Sequence, residues 1–459
     1  MRNGQFAAAL TELTAVIGAG QIVTNGLAHY GFDATEHAGL TAVPDAVAQP
    51  ASVEDVQAIV KWAHEHRIPV VPRGGGTGFS GGAVATEGGL VVDLSRLDRI
   101  LSFEPELWRM HVQAGVRTET VQRLARENGL YFPPDPGAAE QSQIGGNLAA
   151  DAGGPHAFKY GVTREWVTGL EAVVPPGDVI RIGGATRKDV AAYDLLRLLI
   201  GSEGTLGIIT SAWLRLIPAP EASLPIVAAY PDARAGSAAV LRLFTSGAVP
   251  AAIEYLDARA LAAASAAFPV ALPEAARFLV ITEADGTELE AGAAALELRA
   301  ALEEEAVMTW APTDRREIRA LWRWRDGVSL AVAVARGGKV SEDIAVPVDR
   351  LLEAIEATAE IGRAHDLEVC SWGHAGDGNL HSTFMIDPSD RAERDRAIAA
   401  SHDLRKVAVR LGGTISAEHG IGLLKRDDLG LQLGPRALEL HRGVKELFDP
   451  HGVMNPGKK

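Results

Sequence analysis

Pro69-Val70-Val71-Pro72-Arg73-Gly74-Gly75-Gly76-Thr77-Gly78-Phe79-Ser80-Gly81-Gly82 runs a short β-branched segment straight into a glycine loop. Within it, Gly76-Thr77-Gly78-Phe79-Ser80-Gly81 has the G-x-G-x-x-G spacing of a dinucleotide fingerprint. A doubly wound nucleotide-binding unit would require a helix directly behind these glycines. Instead the chain stays glycine-rich to Gly89 and enters Leu90-Val91-Val92-Asp93-Leu94, a second strand pattern, so the doubly wound reading is rejected. The physical point survives that rejection. Residues without side chains let several backbone N–H groups converge on one anion, which suits a pyrophosphate, whereas the plain alternative is a set of tight turns.

Upstream, Ser52 and Asp55 form a capping pattern before Val56, Ile59, Val60 and Ala63 at helical spacing, and Pro69 marks the stop. Downstream, Met110, Val112 and Ala114 alternate as in a strand, and a helix starts at Thr118 and ends by Gly129. Three further glycine-rich stretches read as loops: Ile144-Gly145-Gly146-Asn147, Ala152 to Gly161, and Gly201 to Ile208. Pro218-Ala219-Pro220 is the best linker. The expectation is an α+β chain with one domain over 1–220, its core at about 40–217, and a second over 221–459. In the second, a strand at Ile344 precedes a helix from Asp349 to His365, and Glu368 to Met385 reads as a hairpin over Gly376-Asp377-Gly378-Asn379.

Composition removes several classes of function. The net charge of −15 opposes a polyanionic partner, so nucleic acid is not expected. The single cysteine, Cys370, can build neither a disulfide framework nor an iron–sulfur cluster. The N-terminal segment has a broken apolar pattern and reads as a helix, not a signal peptide. No stretch approaches twenty uncharged apolar residues, so no integral membrane segment is expected and a cytoplasmic location is.

His374 and His381 flank the hairpin turn, and Glu418-His419 follows downstream. Two imidazoles and a carboxylate suit a divalent metal such as zinc or manganese, with positions left open for substrate. A remaining histidine could act as a base. The bland alternative is a pair of core or turn histidines.

The four glycine stretches together resemble the FAD-binding domain of the vanillyl-alcohol oxidase and p-cresol methylhydroxylase flavoprotein superfamily. Within it, Trp372-Gly373-His374-Ala375-Gly376-Asp377-Gly378-Asn379-Leu380-His381 and Ser416-Ala417-Glu418-His419-Gly420-Ile421-Gly422 look like the paired signatures of the FAD-linked D-lactate, glycolate and D-2-hydroxyglutarate dehydrogenases. The resemblance implies a two-subdomain FAD-binding domain of the p-cresol methylhydroxylase type, then an α+β cap domain with an antiparallel sheet and a C-terminal helical segment. Residues 420–459 would return to the flavin. It implies non-covalent FAD, since no histidine lies between His66 and His111 to tether it. Arg73, Gly74, Gly75 and Gly76 would wrap the pyrophosphate, with Thr77, Gly78, Ser80 and Gly81 donating to it. Pro134, Asp135, Gly145, Gly146, Asn147, Gly153, Tyr160 and Gly161 would line the flavin. Glu203, Gly204, Gly207 and Ile208 would meet the adenosine or ribityl portion, and Asn455 would approach from the C-terminal signature Phe448 to Lys458. His374, His381 and Glu418 would hold the metal, and His419 would take the hydroxyl proton of a small D-2-hydroxy acid.

Arg325, in Leu321-Trp322-Arg323-Trp324-Arg325-Asp326, would pair with the substrate carboxylate. In the D-2-hydroxyglutarate enzymes a later lysine also binds carboxylate. Here that position falls on Ser341, with Lys339 two residues early, which favours a monocarboxylic substrate. Three rival readings remain open. They are a flavoenzyme of the alkylglycerone phosphate synthase type, a flavin-free metal-dependent hydrolase, and a non-catalytic flavin-fold subunit. Electrons would leave through an external acceptor, and a homodimer is compatible with the sequence.

Overall fold

The computed structural model describes residues 3–36 and 39–459. Its first sheet has strands in the order Ile22–Val23, Ala46–Ala48, Leu90–Asp93 and Val70–Arg73. The last three run parallel, joined through the helix Val53–His66 and the glycine loop. That helix starts where its cap requires. Ser52 accepts from the Asp55 amide while Asp55 accepts from the Ser52 amide, and Val56, Ile59, Val60 and Ala63 are buried against the sheet.

A second, antiparallel sheet has the order Ile100–Glu104, Arg109–Gln113, Ile208–Arg215, Val167–Val174 and Asp178–Gly183. The chain then leaves the short strand Ile217–Pro218 and enters a seven-stranded antiparallel sheet at Ala222. Along Ala222–Tyr230, Ile226, Ala228 and Tyr230 join one core while Val227 and Ala229 join another. The period-two alternation is apolar on both faces, so both faces are covered. The helices Ala233–Phe244, Glu288–Glu303, Leu351–Ala364 and Arg391–Arg410 cover one side, and Ala258–Ala264, Arg315–Asp326 and Val328–Arg336 cover the other. The hairpin over Ala375 to Gly378 forms as expected, from strands Glu368–His374 and Asn379–Ile386.

The chain end returns to the first sheet. Val70 donates to the Val453 carbonyl at 2.8 Å, Asn455 donates to the Val70 carbonyl at 2.7 Å, and Val70 and Met454 form a parallel bridge.

Two stretches depart from expectation, one of them only by the single helical turn Ala157–Tyr160. Ile144 to Asn147 is not a loop but the start of a helix, Ile144–Ala150. Its glycines serve close approach instead of a turn. A Cβ on Gly145 would lie 2.7 Å from the Ala114 Cβ, and one on Gly74 would lie 3.4 Å from Gly146. Among the described residues, no helix is long and apolar enough to cross a membrane.

Candidate active site

A cavity of about 750 Å³ lies where the glycine loop, the helix Ile144–Ala150 and the seven-stranded sheet meet. Arg73, Gly74, Gly75, Gly76, Thr77, Gly78 and Ser80 line it, as do Gly145, Gly146, Asn147, Gly153, Glu203, Gly204, Gly207 and Ile208. Arg325, His374, His381, Glu418 and His419 line the same space.

The glycine loop is tied by its carbonyls. Leu423 donates to the Ser80 carbonyl at 2.8 Å, Val84 to that of Gly81 at 3.2 Å, and the Asn455 amide to that of Gly82 at 2.9 Å. Among the described residues, no backbone amide from Gly75 to Gly82 donates to a protein acceptor. Within 4 Å of where a Cβ on Gly78 would sit there is no protein atom, and on Gly82 the nearest is the Ser80 hydroxyl at 4.0 Å. Unspent amides around open space fit a pyrophosphate held without a large positive field. Arg73 instead spends its guanidinium on the Phe32 carbonyl, at 2.9 Å.

Six residues assigned to the cofactor by resemblance do not reach the cavity wall. Gly81 supports the loop at φ 76°, packed under Leu40 and Leu423. The Pro134 carbonyl accepts from Gln122 at 2.8 Å, and Asp135 bonds His156 at 2.5 Å. Tyr160 donates to Asp285 in the other domain, Gly161 packs on Glu165, and Asn455 ties Gly82 to the Glu203 carbonyl. Glu203 reaches the wall, but its carboxylate is occupied by the Ile421 and Gly422 amides at 2.9 and 2.7 Å. These side chains shape the cavity from behind.

The histidines converge as the hairpin requires. Glu418 Oε1 lies 3.4 Å from Nε2 of His374, 3.5 Å from Nε2 of His381 and 3.8 Å from Nε2 of His419. His374 Nδ1 bonds the fully buried Glu254 at 2.6 Å, which leaves its Nε2 to the cluster, an arrangement typical of metal-binding imidazoles. Burial opposes the His374 cation, but Glu254 and Glu418 together outweigh it and hold the pKa at about 10. Burial likewise opposes the Glu418 anion, yet the imidazoles bring it down to about 2. For His381 burial wins, and its pKa is pushed well below the usual histidine range. Such a donor set fits a divalent ion.

Asp343 also offers an oxygen within 4.8 Å of His381, Glu418 and His419, but it is not a ligand in our assignment. Its Oδ2 already accepts from the Ala417, Glu418 and His419 amides at 3.0, 3.0 and 2.9 Å and from the Ser416 hydroxyl at 3.1 Å. Oδ1 accepts from Asn379 at 2.9 Å. It builds the turn that presents Glu418 and His419.

Arg325 Nε donates to Glu254 at 2.6 Å, so one carboxylate holds both Arg325 and His374. Neither Glu254 nor Asp343 was marked by any sequence motif. The sequence puts Lys339 two residues ahead of Ser341. Lys339 and Ser341 are two residues apart on strand Gly338–Ala345, hence on one face, and both line the cavity.

The family profile described as "FAD linked oxidases, C-terminal domain" matches residues 219–459, and one described as "FAD binding domain" matches 44–183. The chain is 37% identical over 430 residues to glycolate oxidase subunit GlcD of Bacillus subtilis, covering 94% of this chain and 91% of that one. It is 38% identical over 451 residues to a D-2-hydroxyglutarate dehydrogenase of Xanthomonas citri, covering 94% and 92%. The fold matches the crystal structure of p-cresol methylhydroxylase with substrate bound at a TM-score of 0.80 and 17% identity, over 100% of this chain and 97% of that one.

Proposed function

Since the chain belongs to the family of FAD-linked oxidases, we propose that it oxidises a small D-2-hydroxy acid of the lactate type to the 2-oxo acid. One observation carries the proposal: three imidazoles surround Glu418 Oε1 in the same cavity as a glycine loop with unspent amides. Bound there, FAD supplies a hydride acceptor, and a zinc or manganese ion on His374, His381 and Glu418 supplies a Lewis acid.

The chain's own groups do the rest. Arg325, oriented by Glu254, pairs with the substrate carboxylate and fixes the acid in the cavity. His419 Nε2 accepts the hydroxyl proton as the C2 hydride departs. Its ring is clamped for this, stacked on His381 at 5.3 Å and against Phe79 at 4.6 Å. Burial of His374 and His381 keeps water from the reacting centre.

The test is the anaerobic visible spectrum of the purified, FAD-loaded protein before and after D-lactate, D-2-hydroxybutyrate and glycolate. Bleaching by one acid, lost on chelation and restored by the metal, is the expected result. A flavin that no 2-hydroxy acid bleaches would turn attention to chemistry of the alkylglycerone phosphate synthase type. Protein that cannot be loaded with FAD would overturn the proposal.

A further inference from the structure

Glu36 brings a carboxylate into this cavity from the N-terminal part of the chain. Its Oε1 lies 2.7 Å from Nζ of Lys339, while its Oε2 is buried without a hydrogen-bond partner among the described residues. Lys339 is only 7% exposed and also donates to the Ser329 hydroxyl at 2.6 Å. Its ammonium sits 5.1 Å from the centroid of the Trp372 ring, and the His381 ring lies 6.1 Å from the same indole. One indole is therefore near both this cation and the histidine cluster.

The segment carrying Glu36 is anchored. Asp33 accepts from the Thr35 amide at 3.0 Å and the Ala83 amide at 3.4 Å, and Arg73 holds the Phe32 carbonyl. The carboxylate is thus delivered by a strap fixed to the glycine loop.

The Arg and Lys side chains on the cavity wall are Arg73, Arg325 and Lys339. Arg325 is matched by Glu254, Arg73 is spent on the strap, and Lys339 is matched by Glu36. A 2-hydroxy acid has its first carboxylate provided for by Arg325 and the metal. A second carboxylate would need Lys339, and there it would meet an anion with an unpaired oxygen. Like charges brought together in a buried site reject a ligand more strongly than missing contacts do.

We infer that Glu36 is a specificity-determining residue. Its carboxylate occupies the place at Lys339 that the second carboxylate of a dicarboxylic acid would take, and so restricts the site to monocarboxylic 2-hydroxy acids. The inference rests on the 2-hydroxy acid reading of the site and can be tested apart from it.

The experiment titrates FAD-loaded protein with glutarate and with butyrate, following the perturbation of the flavin spectrum. Wild type, Glu36→Gln and the double variant Glu36→Gln/Lys339→Met are compared. Glu36→Gln keeps the size and removes the charge, so its glutarate dissociation constant should fall about tenfold or more while that for butyrate holds, and the double variant should lose the gain. Should Glu36→Gln fail to fold, Glu36→Asp, which draws the carboxylate back from Lys339, is expected to shift the glutarate-to-butyrate ratio in the same direction. A ratio that does not move, or a gain that survives Lys339→Met, would overturn the assignment. Bleaching by D-2-hydroxybutyrate is measured in parallel. Its absence alongside an altered glutarate affinity would sink the oxidation reading and leave the assignment of Glu36 standing.

Discussion

Glu254 has no solvent exposure, and its two oxygens serve His374 and Arg325 separately. Burial works against its charge, but the arginine and the imidazole outweigh burial and keep it ionised. Glu254→Gln should therefore weaken metal binding by about 10–100-fold, a loss that calorimetric titration of the metal-free protein would register. His419→Asn should behave differently, retaining flavin and metal by absorbance and metal analysis while kcat falls by about 10²–10⁴-fold. The two residues also differ in how visible they are in sequence. His419 follows Glu418 inside a recognisable run, so its chemistry could be anticipated. Glu254 lies 120 residues from His374, in the strand Ala252–Leu256, whose residues are all buried. A lone acid among apolar strand residues gives no sign that it will meet an arginine and a histidine from two distant elements.

At the level of the element, strand and helix patterns were legible wherever one period dominated. The capped helix Val53–His66 and the hairpin from Glu368 to Ile386 formed where expected because cap chemistry and alternation are local signals. Ile144–Ala150 was missed because its glycines satisfy a packing need set by Ala114 and Gly74, residues far away in sequence. Gly145→Val should force that helix off the strand Arg109–Gln113. It should cost about 1–3 kcal/mol in chemical denaturation, with flavin released during purification. Counting along the chain placed Lys339 two residues before Ser341, and the pleat puts both on one face beside the cavity.

Across the whole molecule, the two halves meet at ionic contacts as well as at the cavity. His156 bonds Asp135 at 2.5 Å and Glu283, on the seven-stranded sheet, at 3.0 Å. Burial opposes its cation most, but the two carboxylates outweigh burial and hold its pKa well above 6.5. The folded protein then keeps a proton that the unfolded chain releases. This contribution is complete below pH 6.5 and is lost as pH rises through the elevated folded value. His156→Ala should lower stability at pH 6 by about 3–5 kcal/mol, leaving the buried Glu283 without its cation, and should flatten the alkaline decline seen in urea midpoints. A second long-range tie is Asn455, which bonds the carbonyls of both Gly82 and Glu203. Asn455→Ala should cost about 1–3 kcal/mol and raise the FAD dissociation constant, read by flavin fluorescence on dilution. That return of the chain to Val70 also sets an order of events during synthesis. Ribosomes deliver the glycine loop early, but its carbonyls at Ser80 and Gly82 find their partners only when Leu423 and Asn455 emerge. A growing chain that has not yet released Leu423 and Asn455 leaves the glycine loop without these ties.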